Sequence, residues 1–314
     1  MKTITVLTDF SERAENAARY ALHLAQQLHA NITLYHSFLV PAAEPLAGQV
    51  YWSMEDFNIL QQDSEKQLNL LADRLDEELS EYLSTSPGNA FRPTISCKNQ
   101  EGPLYKYINK IAANRDVMLL VMGTHRKGLA SLITGNHMRD IIGTVSLPVL
   151  IVPENQFFKK IDKLIFATDM TDSDLDIIHA LTELAKPSHA DITLAYIETP
   201  GTSEDETKKL VTDFLEEVSN KINYPKIYYR TVKGIPLKAG LKWLTENVAC
   251  DLFVMVHRHK SFLEELLNLS YTQKMAANTN LPLLVYPSRE NVAQKLNSAI
   301  ESGYQENIIA SVVS

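Results

Sequence analysis

The sequence predicts an α/β protein of two tandem doubly wound, Rossmann-like domains, each built on a parallel five-stranded sheet. Three observations predict it. The chain has 314 residues, room for two domains of ordinary size. It repeats itself once: Thr8-Asp9 recurs as Thr168-Asp169, an offset of 160 that also aligns Leu24-Ala25 with Leu184-Ala185 and Ile32-Thr33-Leu34 with Ile192-Thr193-Leu194. Strand and helix signals then alternate through each copy. Further along the offset falls to about 133, pairing Val121-Met122 with Val254-Met255 and Leu147-Pro148 with Leu281-Pro282, so the first copy carries roughly 27 extra residues. The sequence places them around residues 40–58, where Pro41 and Pro45 interrupt regular structure. The copies are expected at residues 1–153 and 160–287, with a C-terminal tail at 288–314.

In the first copy, residues 3–8 are β-rich and read as a strand. A helix follows over residues 11–29, with Ala14, Ala17, Ala18, Ala21, Leu24, Ala25 and Leu28 at three- and four-residue spacing and Ser11 as N-cap. A second strand covers residues 32–37. The next helix is long, with Phe57, Leu60, Leu68, Leu71, Leu75 and Leu79 on one face. Then come a strand at 94–98, a helix at 104–113, an apolar strand at 117–122, a helix near 137–145 and a closing strand at 149–152. Strands near 163–168, 192–197, 227–232, 252–256 and 283–286 repeat that order in the second copy.

Apolar strands between helices, without alternation of their own, are buried on both faces, so each sheet should be parallel. Right-handed crossovers then make it doubly wound, and ligands bind beyond the carboxyl ends of the strands where the winding reverses. That rule selects Thr8 and Asp9 after the first strand, Ser37 after the second, and Met122-Gly123 after the fourth.

Composition narrows the function. A net charge of −8 argues against a nucleic-acid partner, which needs positive charge to replace counterions along phosphates. Two cysteines, Cys97 and Cys250, make no disulfide framework; both fall on or beside strands, where inert packing is the default. The longest apolar runs hold about six residues against about 20 for a membrane span. The sequence opens directly on a strand signal, with no leader pattern. A cytoplasmic protein with no membrane partner is expected. Only 11 residues are glycine, seven of them before residue 153, so a glycine-rich phosphate loop belongs to the first copy.

The loop after the fourth strand reads Met122-Gly123-Thr124-His125-Arg126-Lys127-Gly128, and Gly135-Asn136 opens the last helix. Glycines let backbone amides approach a phosphate, a helix N-terminus offers unpaired N–H groups, and Arg126 and Lys127 add charge. The same glycines serve equally well as left-handed turns. His36, His125 and His137 are placed by the order of elements near this crevice, though spacing alone does not join them.

At this point both copies, about residues 1–287, resemble a tandem universal stress protein, two UspA-type domains in one polypeptide with an adenine nucleotide alpha hydrolase-like fold. Leu7-Thr8-Asp9-Phe10-Ser11, Met122-Gly123-Thr124-His125, Lys127-Gly128-Leu129, Gly135-Asn136-His137 and Leu147-Pro148-Val149-Leu150-Ile151-Val152-Pro153 carry the resemblance. It implies a stress-response binding or regulatory module, an internal pseudo-dimer packed through the last strands, and further pairing into a homodimer, with protein partners it does not name. It also implies ATP or AMP in the first copy only. Asp9 and the backbone around Ser37 would meet the nucleoside. Met122 and Gly123 would flank the adenosine and first phosphate, and Gly135 with Asn136 would hold the distal phosphates.

Two features depart from the ATP-binding pattern G-x2-G-x9-G-[S/T]. The second glycine is deleted, shortening the loop by one residue, and Asn136 replaces the Ser/Thr. In the second copy Val256 stands in place of the first glycine, the loop keeps no glycine, and Glu264-Glu265 follow; no nucleotide is expected there. His257-x-His259 is a weak metal signal, because alternating side chains diverge and no further ligand is suitably spaced. Asp9 and Asp169 read equally as acids or as helix caps. No catalytic motif is present, so the chain is expected to be no enzyme. The alternatives are a slow ATP hydrolase, whose nearest carboxylate is Asp140, and a ligand-free interaction protein. In the tail, Val292, Leu296 and Ile300 share a helix face and residues 308–313 are apolar, so burial is expected.

Overall fold

The computed structural model describes residues 1–39, 54–85, 90–124, 137–201, 203–258 and 281–288. The first copy runs β1 (Thr3–Leu7), α1 (Glu12–Leu28), β2 (Asn31–Phe38), α2 (Met54–Thr85), β3 (Ile95–Glu101), α3 (Tyr105–Ala113), β4 (Val117–Thr124), α4 (His137–Thr144) and β5 (Val149–Pro153). The second runs β6 (Lys163–Ala167), α5 (Asp172–Ala185), β7 (Asp191–Glu198), α6 (Glu204–Lys221), β8 (Ile227–Lys233), α7 (Leu237–Asn247), β9 (Leu252–His257) and β10 (Leu283–Pro287), with a 3-10 turn at Lys186–Ser188 after α5. The tail beyond Ser288 lies outside the described residues. Among the described residues no helix is long and apolar enough to cross a membrane.

The ten strands among the described residues form one sheet, in the order β3-β2-β1-β4-β5-β10-β9-β6-β7-β8. Each half is parallel and has the same internal order. The halves meet where β5 and β10 pair antiparallel, with Leu283 opposite Ile151, Leu284 opposite Leu150 and Val285 opposite Val149. A pseudo-twofold axis therefore passes through the Leu150–Leu284 pair, and the two sets of strand ends point in opposite directions.

Helices cover the two faces with separate cores. On one face α1, α2, α5 and α6 bury Ala17, Ala21, Leu75, Ile178 and Phe214 in a cluster that is continuous across both halves. On the other, α3, α4 and α7 bury Ile108, Ile141 and Leu244. The small residues of α1 set its closeness to the sheet. Ala14, Ala17, Ala18, Ala21 and Ala25 are all buried, and a Cβ on Gly123 would come within 2.3 Å of the Arg13 carbonyl oxygen. Ser11 caps α1 as its sequence predicts, accepting from the Ala14 amide at 3.4 Å.

Two expectations need correction. The surplus of the first copy is not confined to a loop: α2 has 32 residues against 18 in its counterpart α6, so about half of it extends a helix that covers an edge strand. Nor do all strands lack alternation. The outermost strands β3 and β8 alternate partly buried with exposed residues, because helices cover them on one face only.

The link between copies is held to α1. Buried Asn16 donates from Nδ2 to the Pro153 carbonyl at 3.0 Å and the Gln156 carbonyl at 3.1 Å. Phe158 then packs edge-on against Tyr20 and stacks on His23, and Ile161 is buried.

Candidate functional site at the strand ends

The register brings Leu7 beside Tyr35 on one side and Met122 on the other. The carboxyl ends of β1, β2 and β4 therefore form one edge, at the place where the winding reverses. Thr8 leaves that edge with its amide donating to the Tyr35 carbonyl at 3.0 Å. Its hydroxyl accepts from the Phe10 amide at 3.1 Å, and Phe10 takes a left-handed φ of 62°. Bulky residues seldom adopt that region without support. The second copy makes the same turn: Thr168 Oγ1 accepts from the Met170 amide at 2.9 Å, and Met170 has φ 59°.

Asp9 projects from the turn, half exposed. Its carboxylate accepts from the Ser11 amide at 3.2 Å and from the Ser11 hydroxyl, and pairs with Arg13 Nη2 at 2.6 Å. Burial alone would raise its pKa; the Ser11 and Arg13 hydrogen bonds outweigh that and hold the carboxyl below the usual range. On the neighbouring strand, His36 Nδ1 lies 2.8 Å from the Thr8 carbonyl, which makes Nδ1 the protonated nitrogen. Its ring lies 4.3 Å from that of Phe10. Ser37 follows it near the end of β2, half-buried.

The structure thus gathers Thr8, Asp9, Met122 and Gly123 at adjoining strand ends, with Ser37 one strand away. Gly123 has a role before any ligand is considered, because its missing Cβ is what lets α1 cross β4. His125, Arg126, Lys127, Gly128, Gly135 and Asn136 lie outside the described residues, as does His259. His137 opens α4. Sequence reasoning missed Arg13 and Phe10; the four-residue spacing of Asp9 and Arg13 was the available signal for the first.

The second crevice is organised differently. Asp174 takes the position of Ala14 and Val256 that of Gly123. Arg258, two residues beyond Val256, reaches back across the strand ends and fills the space between them. Its guanidinium pairs with Asp169 at 2.9 Å and with the fully buried Asp174, and donates to Thr171 Oγ1 at 2.9 Å. Thr168 Oγ1 also donates to Asp174, at 2.7 Å. Burial raises the Asp174 pKa, and the hydrogen bond from Thr168 and the charge of Arg258 only partly offset it. The space left beside this network is about 70 Å³, far below the roughly 300–1,000 Å³ of ordinary ligand pockets.

The two thiols are packing groups. Burial and the nearby Asp73 charge raise Cys97, while burial and Asp251 push Cys250 up to about 12, so neither is poised as a thiolate. Among the described residues no three His, Cys, Asp or Glu side chains stand together as a metal site.

The family model that matches residues 1–153 is that of the universal stress protein family. Residues 1–153 belong to that family. The same strand order repeats after them, over residues 163–287. A universal stress protein of Synechocystis is 23% identical over 300 residues, covering 91% of this chain and all of its own length. Among solved structures, a universal stress protein of Archaeoglobus fulgidus superposes with a TM-score of 0.61 at 13% identity, over 91% of this chain and 96% of that one. A Pseudomonas aeruginosa protein assigned to the same family gives 0.52 at 11% identity, over 94% and 96%. At such identities the structural likeness speaks for fold alone.

Proposed function

We propose that this chain is a tandem universal stress protein that acts as a non-catalytic binding module for an adenine nucleotide, ATP or AMP, with a single binding copy. The division is 1–153 for the binding copy, 160–287 for a copy that serves as structural partner, and 288–314 for the tail. The observation that carries the reading is the contrast between equivalent strand ends. In the second copy Arg258 bridges the exposed Asp169 and the fully buried Asp174 and so takes up the crevice. In the first copy Asp9 stands at the edge with its carboxylate held ionised and half exposed, ready to accept hydrogen bonds from ribose hydroxyls. Thr8, Ser37 and Met122 surround the same edge. The loop from Arg126 to Asn136, through Lys127, Gly128 and Gly135, would supply the phosphate contacts.

Calorimetric titration with ATP, ADP and AMP tests this directly. One saturable site per chain is expected. Losing a charged hydrogen-bond acceptor costs roughly 1.5–3 kcal/mol, so Asp9→Ala should weaken binding at least tenfold. Asp169→Ala, the equivalent change in the second copy, should leave affinity unchanged. Equal losses in both variants, or no saturable heat at millimolar nucleotide, would overturn the reading.

A further inference from the structure

Across the pseudo-twofold axis, α1 and α5 leave a groove of about 630 Å³ over the middle of the sheet. Leu24 and Leu28 of α1, Leu184 of α5, and Leu150, Leu284 and Tyr286 of the sheet form its walls. Lys2, Met118 and Leu252 place part of it at the starts of β1, β4 and β9. We propose that this groove is the seat of the chain's own C-terminal segment, residues 289–314, which straps the two copies together.

The pseudo-symmetry is what points to this occupant. β5 and β10 are equivalent strands, each of five residues and each closing on proline, Pro153 and Pro287. After Pro153 the chain turns back over α1. There Phe158, five residues on, packs against Tyr20 at 5.1 Å between ring centroids and against His23 at 5.5 Å; Ile161 is buried, on the groove wall. The same path after Pro287 leads over α5. The offset of 160 that relates the helices turns Tyr20 and His23 into Ala180 and Glu183, and both line the groove. Five residues beyond Pro287 is Val292, and Leu296 falls one position past the equivalent of Ile161. Small Ala180, where the first copy has a tyrosine, leaves volume on this side of the axis.

The tail also fits in reach and chemistry. Tyr286 is itself part of the groove wall, and the tail starts three residues later. Val292, Leu296 and Ile300 recur every four residues, one apolar stripe of a helix. A stripe of that kind covers an apolar groove, and burying three such side chains removes apolar surface from water.

Paired cysteines read the docking out. Ala180→Cys with Val292→Cys, in a full-length chain whose Cys97 and Cys250 are replaced by alanine, should form an intramolecular disulfide under mild oxidation. It should form many times faster than Lys110→Cys with Val292→Cys, because Lys110 is on α3 across the sheet. A chain ending at Ser288 should brighten anilinonaphthalene sulfonate several-fold over the full chain, and a peptide of residues 289–314 should reverse it. No crosslinking above the control would overturn the proposal. So would disulfides that join two chains, which place a second copy's tail in the groove. Equal dye binding by both chains, the outcome for a groove held by a small apolar ligand, would overturn it as well.

Discussion

Arg258 shows how a single side chain settles what a strand end can do. Asp174 is fully buried, and its carboxylate depends on Arg258 and Thr168 for compensation. Removing one partner of a buried pair strands the other charge, at about 3–5 kcal/mol. Arg258→Ala should therefore lower the urea midpoint strongly at neutral pH, and adding Asp174→Asn should restore much of it. The pH dependence has a definite sign. The folded-state pKa of Asp174 is raised, so between the ordinary aspartate value and the raised one the folded chain holds the extra proton. Stability from this group falls as pH rises through that window. Losing Arg258 raises the folded value further, so the Arg258→Ala deficit should be smallest at acid pH and grow toward neutrality. A deficit that does not change with pH would show that Asp174 does not depend on Arg258. Gly123 teaches a related lesson. Its Cβ would strike the Arg13 backbone, so a larger residue there disturbs α1 and cannot serve as a clean probe of phosphate binding.

At the level of elements, α1 does more than cover the sheet. Through Asn16 it satisfies two carbonyls of the link that leads to the second copy. Each buried carbonyl left without a donor costs roughly 1–3 kcal/mol, so Asn16→Ala should destabilise by about 2 kcal/mol or more in urea unfolding. No change would mean that water replaces the amide. The elements themselves were legible in the sequence, and for a physical reason. α1 carries an alanine-rich stripe at helical spacing, and β1, β4, β9 and β10 are apolar runs too short to be helices. What escaped the sequence depended on distant neighbours. Arg258 and Asp174 lie 84 residues apart, so no local spacing announces their pairing. The alternation of β3 and β8 follows from their outermost places in the strand order. Of the candidate site, Thr8, Asp9, Ser37, Met122 and Gly123 came from the strand-end rule, which needs only topology. Arg13 needed knowledge of which way the turn after Asp9 runs.

The whole molecule is held by the seam between β5 and β10. Val149, Leu150 and Ile151 are buried there against the other copy. A fragment of residues 1–159 would expose that edge, and an apolar strand edge finds a partner. The fragment should dimerise through β5 paired antiparallel with itself, doubling its mass in light scattering, and Leu150→Asp should return it to a monomer. A fragment that is monomeric without that change would show that the seam contributes little by itself. The seam also has a consequence for how the two crevices can differ. In an assembly of identical chains every substitution appears on both sides of the axis at once, so neither side can be closed without closing the other. Joining the halves in one polypeptide lifts that constraint. A change such as Ala14 to Asp174, or Gly123 to Val256, falls on one side only. One half is then free to become a rigid abutment while the other keeps an open edge, and the proportion of the two is fixed at one to one by the peptide bond.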